Sequence, residues 1–103
     1  MSEDSHNEDP SEKMSLEEKV EYENYIVEQA FENSYRVLTK KVSFEDLLDA
    51  KEKYGVKGIM IFDPNDDLDQ DVYDDIIYYY EDLEDYEKCA ELLKEKQKIF
   101  ENV

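Results

Sequence analysis

The chain of 103 residues has one cysteine, one histidine, two glycines, two prolines and no tryptophan. The lone cysteine, Cys89, excludes an internal disulfide framework and a cysteine zinc cluster. The lone histidine, His6, sits in a polar N-terminal stretch, so any folded segment lacks the side chain most used for proton transfer near neutral pH. Two glycines provide neither a glycine-rich phosphate loop nor a nucleophile elbow. No apolar run approaches the roughly 20 residues that cross a bilayer. The first residues, MSEDSHNEDP, are acidic and lack the apolar segment of a signal peptide. These gaps lead to the expectation of a soluble, cytoplasmic protein that is not an enzyme and holds no cofactor.

Positive charge is scarce as well. Thirty acids against twelve bases leave a formal net charge of -18. Residues 1–57 carry 15 acids and 8 bases, whereas residues 58–103 carry 15 acids and 4 bases. A surface of that sign repels nucleic acid phosphates and anionic membranes, which argues against direct binding to either. The partner expected on electrostatic grounds is a basic protein surface.

A chain of this length forms one small domain and buries only about two thirds of the surface its unfolded state exposes, leaving little room for a large enclosed active site. Much of its apolar content is tyrosine, nine residues against four phenylalanines. Each tyrosine keeps a polar hydroxyl at one end, so the core is expected to be thin with amphipathic walls.

Residues 1–14 contain Pro10 and lack apolar periodicity, and read as a disordered acidic tail before a single helical domain at 15–103. Ser15 with Glu18 forms a capping-box signature for a helix running to about Thr39. Leu16, Val20, Val27, Phe31, Ser34 and Leu38 recur along it as one stripe, expected to be buried. A second box, Ser43 with Asp46, opens a shorter helix through Tyr54, with Gly55 placed for a left-handed C-terminal position. These two helices should form a hairpin. Ile59 to Phe62 is an apolar run of strand length between Gly58 and Pro64, and two readings stay open: a buried extended connector, or an edge that pairs with another chain.

From about Asp67 the helical period returns. Val72, Ile76, Tyr79, Tyr80 and Leu83 fall on one face, and Asp71, Asp75, Tyr78 and Asp82 on the other. Near LEDYE the chain should turn, with Asp85 as N-cap, into a last helix carrying Cys89, Leu92, Leu93, Ile99 and Phe100 inward. The fold class expected is all-α: four helices as two hairpins, a short extended connector and a disordered N-terminal tail.

The stretch from Asp63 to Glu87 holds twelve carboxylates and five tyrosines without a lysine or arginine. Its first part, DPNDDLDQDVYD, places oxygens at loop positions of a calcium site through Asp63, Asn65, Asp67, Asp69, Asp71 and Asp74. Leu68 stands where that loop needs glycine and Asp74 where it needs a bidentate glutamate, so a solvated acidic helix start is the reading preferred, with no metal. Paired carboxylates are too numerous to single out an acid and a base, because catalysis needs two whose environments differ. Cys89, mid-helix beside Ala90, reads as a small core residue rather than a reactive thiol.

The segment IIYYYEDLEDYEKCAELL, Ile76 to Leu93, resembles the UVR motif, a helical hairpin. The second helix of that motif opens with an acidic residue, an aromatic and Glu, then a pair of small residues before Leu. Here those positions are Asp85, Tyr86, Glu87, Cys89, Ala90 and Leu92. The chain departs from the pattern where Cys89 replaces the first alanine and where Leu93 and Lys94 replace the Arg and Asp that usually follow. The same residues are similar to one helix pair of a tetratricopeptide repeat, without a second copy. The resemblance covers under a fifth of the chain and implies a hairpin used for contact between proteins, as where UVR segments join repair subunits or engage chaperone ATPases.

Two functions are therefore weighed. In the first, a non-catalytic adaptor or regulator docks its acidic hairpin on a basic surface of a partner, through Tyr73, Tyr78 and Tyr86 flanked by Asp74, Asp75, Asp82 and Asp85. In the second, the acidic face imitates DNA or RNA and blocks a nucleic-acid-binding protein, as phage inhibitors do. A single helix over Asp63 to Glu87 would carry about one charge per 3 Å, against one per about 1.7 Å in duplex DNA. Oligomeric state is left open by both.

Overall fold

The computed structural model describes residues 14–50 and 54–101, and within them the fold is all-α, with four α-helices and no strand. The tail expected over residues 1–14, His6 included, lies outside the described residues except for Met14.

Helix α1, Leu16–Leu38, starts where its caps dictate. The Glu18 amide donates to Ser15 Oγ at 3.2 Å, and the Ser15 amide donates to Glu18 Oε1 at 2.9 Å, satisfying two amides that the first turn leaves free. It ends at Thr39 because Lys40 turns left-handed, with φ 63°. The Lys41 amide then reaches the Arg36 carbonyl at 2.8 Å and the Lys40 amide the Val37 carbonyl at 3.0 Å. This is a Schellman closure without its usual glycine.

Helix α2, Phe44–Asp49, opens on the reciprocal Ser43 and Asp46 cap, with both bonds at 3.1 Å. It stops at Asp49, five residues short of the expected end at Tyr54, because Ala50 is extended, with ψ 150°. Tyr54 instead packs edge-on against Tyr22 and Tyr25 of α1, with ring centroids 5.0 and 5.1 Å apart. Gly55 does adopt the left-handed conformation, φ 74°, but in the loop and not as the cap of α2. The α1–α2 pair is accordingly the looser of the two hairpins, and α1 finds its main packing partners in the later helices.

The segment Val56 to Asp69 crosses back without regular structure. Gly58 has φ 67°, and a Cβ there would lie 2.8 Å from Leu48 Cδ2 and 3.2 Å from Phe44 Cε1, so only glycine lets the chain pass over α2. The run Ile59 to Phe62 is a half-buried connector, not a strand. Two buried polar residues of α1 hold it: Asn33 Nδ2 donates to the Ile59 carbonyl at 3.1 Å, and the Ile61 amide donates to Ser34 Oγ at 2.9 Å.

Helix α3, Gln70–Asp82, and helix α4, Tyr86–Lys96, form a tight hairpin, and a π-helical turn, Gln97–Glu101, extends α4. Glu84 takes the left-handed position between them, φ 62°, closing α3 with bonds from its own amide to the Glu81 carbonyl and from the Asp85 amide to the Tyr80 carbonyl, both 2.9 Å. The core joins Tyr35 and Leu38 of α1, Tyr73, Ile76 and Tyr80 of α3, and Leu92 of α4. Half of these six residues are tyrosine, in keeping with the thin amphipathic core expected. Phe31 stacks on Tyr79 at 3.9 Å, and Phe100 meets Tyr73 edge-on at 5.8 Å.

Several apolar residues expected inward are exposed. Leu83 is the C-cap of α3 and is 59% exposed, while Leu93 and Ile99 sit beside the buried Leu92 and half-buried Phe100, about 100° round the helix from them. The α1 stripe is covered only from Ala30 onward; Leu16, Val20 and Val27 are 78, 49 and 48% exposed.

Candidate docking face on the third helix

Helix α3 turns its acids and one tyrosine, Tyr78, to one face and buries Tyr73 and Tyr80 on the other. At about 100° per residue, Asp71, Asp74, Asp75, Tyr78, Glu81 and Asp82 share one arc of roughly 120°, with Tyr78 at its centre. All six are exposed, and Tyr78 keeps 76% of its surface in solvent. Tyr73, Ile76 and Tyr80 occupy the opposite arc and are buried. An open groove of about 370 Å³, lined by Tyr78, Tyr79, Glu81 and Asp82, runs beside the Tyr78 ring.

Tyr73 is thus a correction to the expected contact set. It is 1% exposed and packs against Phe100, and burial raises the pKa of its phenol from the ordinary value. Its place in the acidic stretch suggested an anchor, but it lies one residue from Val72 and three from Ile76, on the inner arc. Asp74, Asp75, Tyr78 and Asp82 are brought together as expected. Asp71 and Glu81 belong with them and were legible from the same helical period, although neither was chosen.

The acids differ in what they already hold. Lys96 of α4 reaches back to Asp74 at 2.8 Å, and that bond raises the lysine's pKa. Among the described residues, no lysine or arginine pairs with Asp71, Asp75, Glu81 or Asp82. Asp85 is structural: it caps α4 by accepting the Lys88 amide at 3.4 Å and binds the Lys88 ammonium at 2.8 Å, and the bond from Lys88 holds its carboxyl below its ordinary value. Tyr86 opens α4 just beyond the turn and is 62% exposed, outside the α3 arc.

Four lysines, Lys40, Lys41, Lys88 and Lys98, gather instead on the seam between α1 and α4. The Lys88 ammonium lies 5.3 Å from the ring centroids of both Tyr35 and Tyr80. The Tyr35 hydroxyl donates to Glu91, which also binds Lys41 at 3.0 Å; these two bonds hold Glu91 below its ordinary pKa. The Tyr80 hydroxyl donates to Glu32 at 3.2 Å, and Glu95 binds Lys40 at 3.2 Å and Lys98 at 3.3 Å. Burial, reinforced by these carboxylates, raises the pKa of both phenols. Apart from the Glu95–Lys98 pair, three residues apart, no local spacing announces this network, since its partners lie tens of residues apart in the chain.

The remaining chemical candidates find structural places. Asp63 and Asp69 each accept a backbone amide two residues on, at 2.9 Å, so they shape turns. Among the described residues no three acidic, histidine or cysteine side chains converge as a metal site requires. Cys89 is half-buried with Sγ 3.4 Å from the Ile77 carbonyl, and burial followed by Glu81 and Asp85 pushes its thiol up, away from the reactive thiolate. No helix among the described residues is long and apolar enough to cross a membrane.

Compared with protein-family models, with curated proteins and with solved structures, the chain matches none.

Proposed function

We propose that this chain is a non-catalytic interaction module, an adaptor or regulator, that docks the outer face of α3 on a basic surface of a partner protein. One observation carries the reading: a tyrosine exposed to 76% at the centre of five exposed carboxylates, four of them unpaired among the described residues. Solubility alone calls for the carboxylates but not for a large ring in their midst. An aromatic anchor supplies contact area at low entropic cost, and surrounding charge speeds and orients encounter with a basic patch. The α3–α4 hairpin that presents the ring is the segment resembling UVR and tetratricopeptide hairpins, which also favours protein contact. The site set becomes Tyr78 with Asp74, Asp75 and Asp82, joined by Asp71 and Glu81. Tyr86 lies at its margin, and Asp85 serves the fold.

Nucleic acid mimicry is the competing class, and the broken geometry weighs against it. The acids do not follow one helix from Asp63 to Glu87: a loop precedes α3 and a turn ends it at Leu83. Five exposed acids on a helix of about 20 Å leave roughly one charge per 4 Å, well below the phosphate density of a duplex.

Affinity capture from the native host lysate with the wild-type chain and with Tyr78→Ala, each challenged with duplex DNA, tests the reading. A protein held by wild type, lost with Tyr78→Ala and indifferent to DNA supports docking. Capture that is released by DNA and unaffected by Tyr78→Ala would replace it with mimicry.

A further inference from the structure

The apolar stripe of α1 is continuous in sequence but only half covered in the fold. From Ala30 to Leu38 it meets α3 and α4: Phe31 stacks on Tyr79, and Ser34 and Leu38 are buried. From Met14 to Gln29 no residue is buried. Leu16, Val20 and Val27 nevertheless keep the register, lying within a sector of about 40° that also contains Ser34 and Leu38. They form an exposed ridge about 16 Å long, from Leu16 to Val27, running in line with the core. The opposite side of this half-helix is occupied, because Tyr22 and Tyr25 receive Tyr54. Scattered apolar exposure is normal, but these three aliphatic side chains share one helical register and so form a continuous apolar strip.

The charge beside the ridge selects the occupant. Between Met14 and Gln29 there are five glutamates and one lysine. By helical position Glu17, Glu21 and Glu28 border the ridge on one side, and Glu23, followed by the one lysine, Lys19, on the other. Residues 1–13 of the same chain are unsuited, because they contain five acids and Met1 as their one apolar residue. A second copy would set glutamate against glutamate between chains of net charge -18. A helix with an apolar stripe flanked by lysine or arginine satisfies both the ridge and its borders.

We propose that the N-terminal half of α1 is a helix-docking surface for a basic amphipathic helix of a partner protein. It rests on the uncovered stripe and not on the α3 face, so either surface can fail without the other. Docking completes the layer that α3 and α4 begin, since the incoming helix extends the same buried row beyond Ala30.

The probe is a labelled synthetic helix of about four turns, with leucine at every third and fourth position and lysine on both flanks. Its binding to the full chain is followed by fluorescence anisotropy. Two controls are a scrambled peptide of equal charge without a stripe and a peptide with glutamate flanks. The striped basic peptide should bind at least about tenfold more tightly than either control. Leu16→Ser combined with Val20→Ser should remove that advantage, while circular dichroism stays unchanged because both residues are exposed. Tyr78→Ala should leave it intact, which separates this surface from the α3 face. Equal binding of the scrambled peptide, or unchanged binding by the double variant, overturns the proposal. So does sedimentation showing a dimer that Val20→Ser dissociates, because a second copy would then be the occupant.

Discussion

Ser34→Ala probes how the connector is held. The Ser34 side chain is fully buried, with its hydroxyl donating to the Ala30 carbonyl at 2.7 Å and accepting the Ile61 amide at 2.9 Å. Alanine leaves the Ala30 carbonyl its helical bond but removes the sole acceptor shown for the half-buried Ile61 amide. An orphaned group of this kind costs about 1–3 kcal/mol. The better helix propensity of alanine returns roughly 0.5 kcal/mol, leaving a net loss near 1.5 kcal/mol. For a domain of this size each kcal/mol moves the melting temperature by about 4–8 °C, so a drop of about 6–12 °C is expected. Thermal unfolding followed at the helical circular dichroism band gives the size of the effect, and hydrogen exchange at the Ile61 amide gives its location. Exchange at Ile61 should rise well before global unfolding, as the connector lifts from α1. Asn33→Ala should act in the same direction, and its effect should not add fully to that of Ser34→Ala because both anchor one segment. A melting temperature unchanged by Ser34→Ala, or an Ile61 amide equally protected in both proteins, would refute the idea that buried polar groups fix this crossing.

Glu84→Gly should stabilise the protein by roughly 0.5–1 kcal/mol, because relief of left-handed strain at φ 62° outweighs the extra freedom of glycine in the unfolded chain; denaturant titration reads the sign. Asp85→Ala should lower the melting temperature, whereas Asp82→Ala should not, since only Asp85 caps a helix and holds Lys88. Equal effects would mean that both acids act through net charge alone. Acid should weaken the α1–α4 seam: Glu91 and Glu95 have folded pKa values lowered from 4.5, Glu91 by Tyr35 and then Lys41, Glu95 mainly by Lys40. The stability they contribute is complete above their unfolded pKa and is lost as the pH falls through the lowered folded values. Glu91→Gln should therefore lose less stability than wild type between about pH 5 and pH 3, while relief of net repulsion acts on both. Parallel stability curves would show that Glu91 has no part in acid unfolding.

Local signals in the sequence carried much of the fold. Both capping boxes and the Asp85 N-cap depend on side chains within four residues of each other, and each appears where spacing placed it; on the inner arc of α3, Ile76 and Tyr80 are buried as read, while Leu83 is exposed. The left-handed Lys40 and Glu84 closures were hidden because the position favours glycine and the chain uses charged residues there. The early end of α2, where Ala50 turns extended, and the packing of Tyr54 on Tyr22 and Tyr25 are features that no periodicity encodes. Tyr73 was misassigned through composition: in a stretch so acidic it resembled an anchor, and its inner-arc position was passed over. The uncovered half of α1 has a related cause, because a stripe states which face is apolar but not how far a neighbour extends along it. The charged face around Tyr78 was readable from sequence, while the division of its acids into tethered, structural and free needed the positions of Lys88 and Lys96.

On the proposed reading, the α3 face acts through its position and not through the charge it adds to the chain. Capture of a lysate partner by Asp75→Lys with Asp82→Lys, compared with Glu45→Lys with Asp49→Lys on exposed sites of α2, tests it most directly. Both pairs change the net charge equally, and all four residues are exposed. The α3 pair should abolish capture and the α2 pair should preserve it. Equal loss in both, or capture that survives the α3 pair, would contradict it.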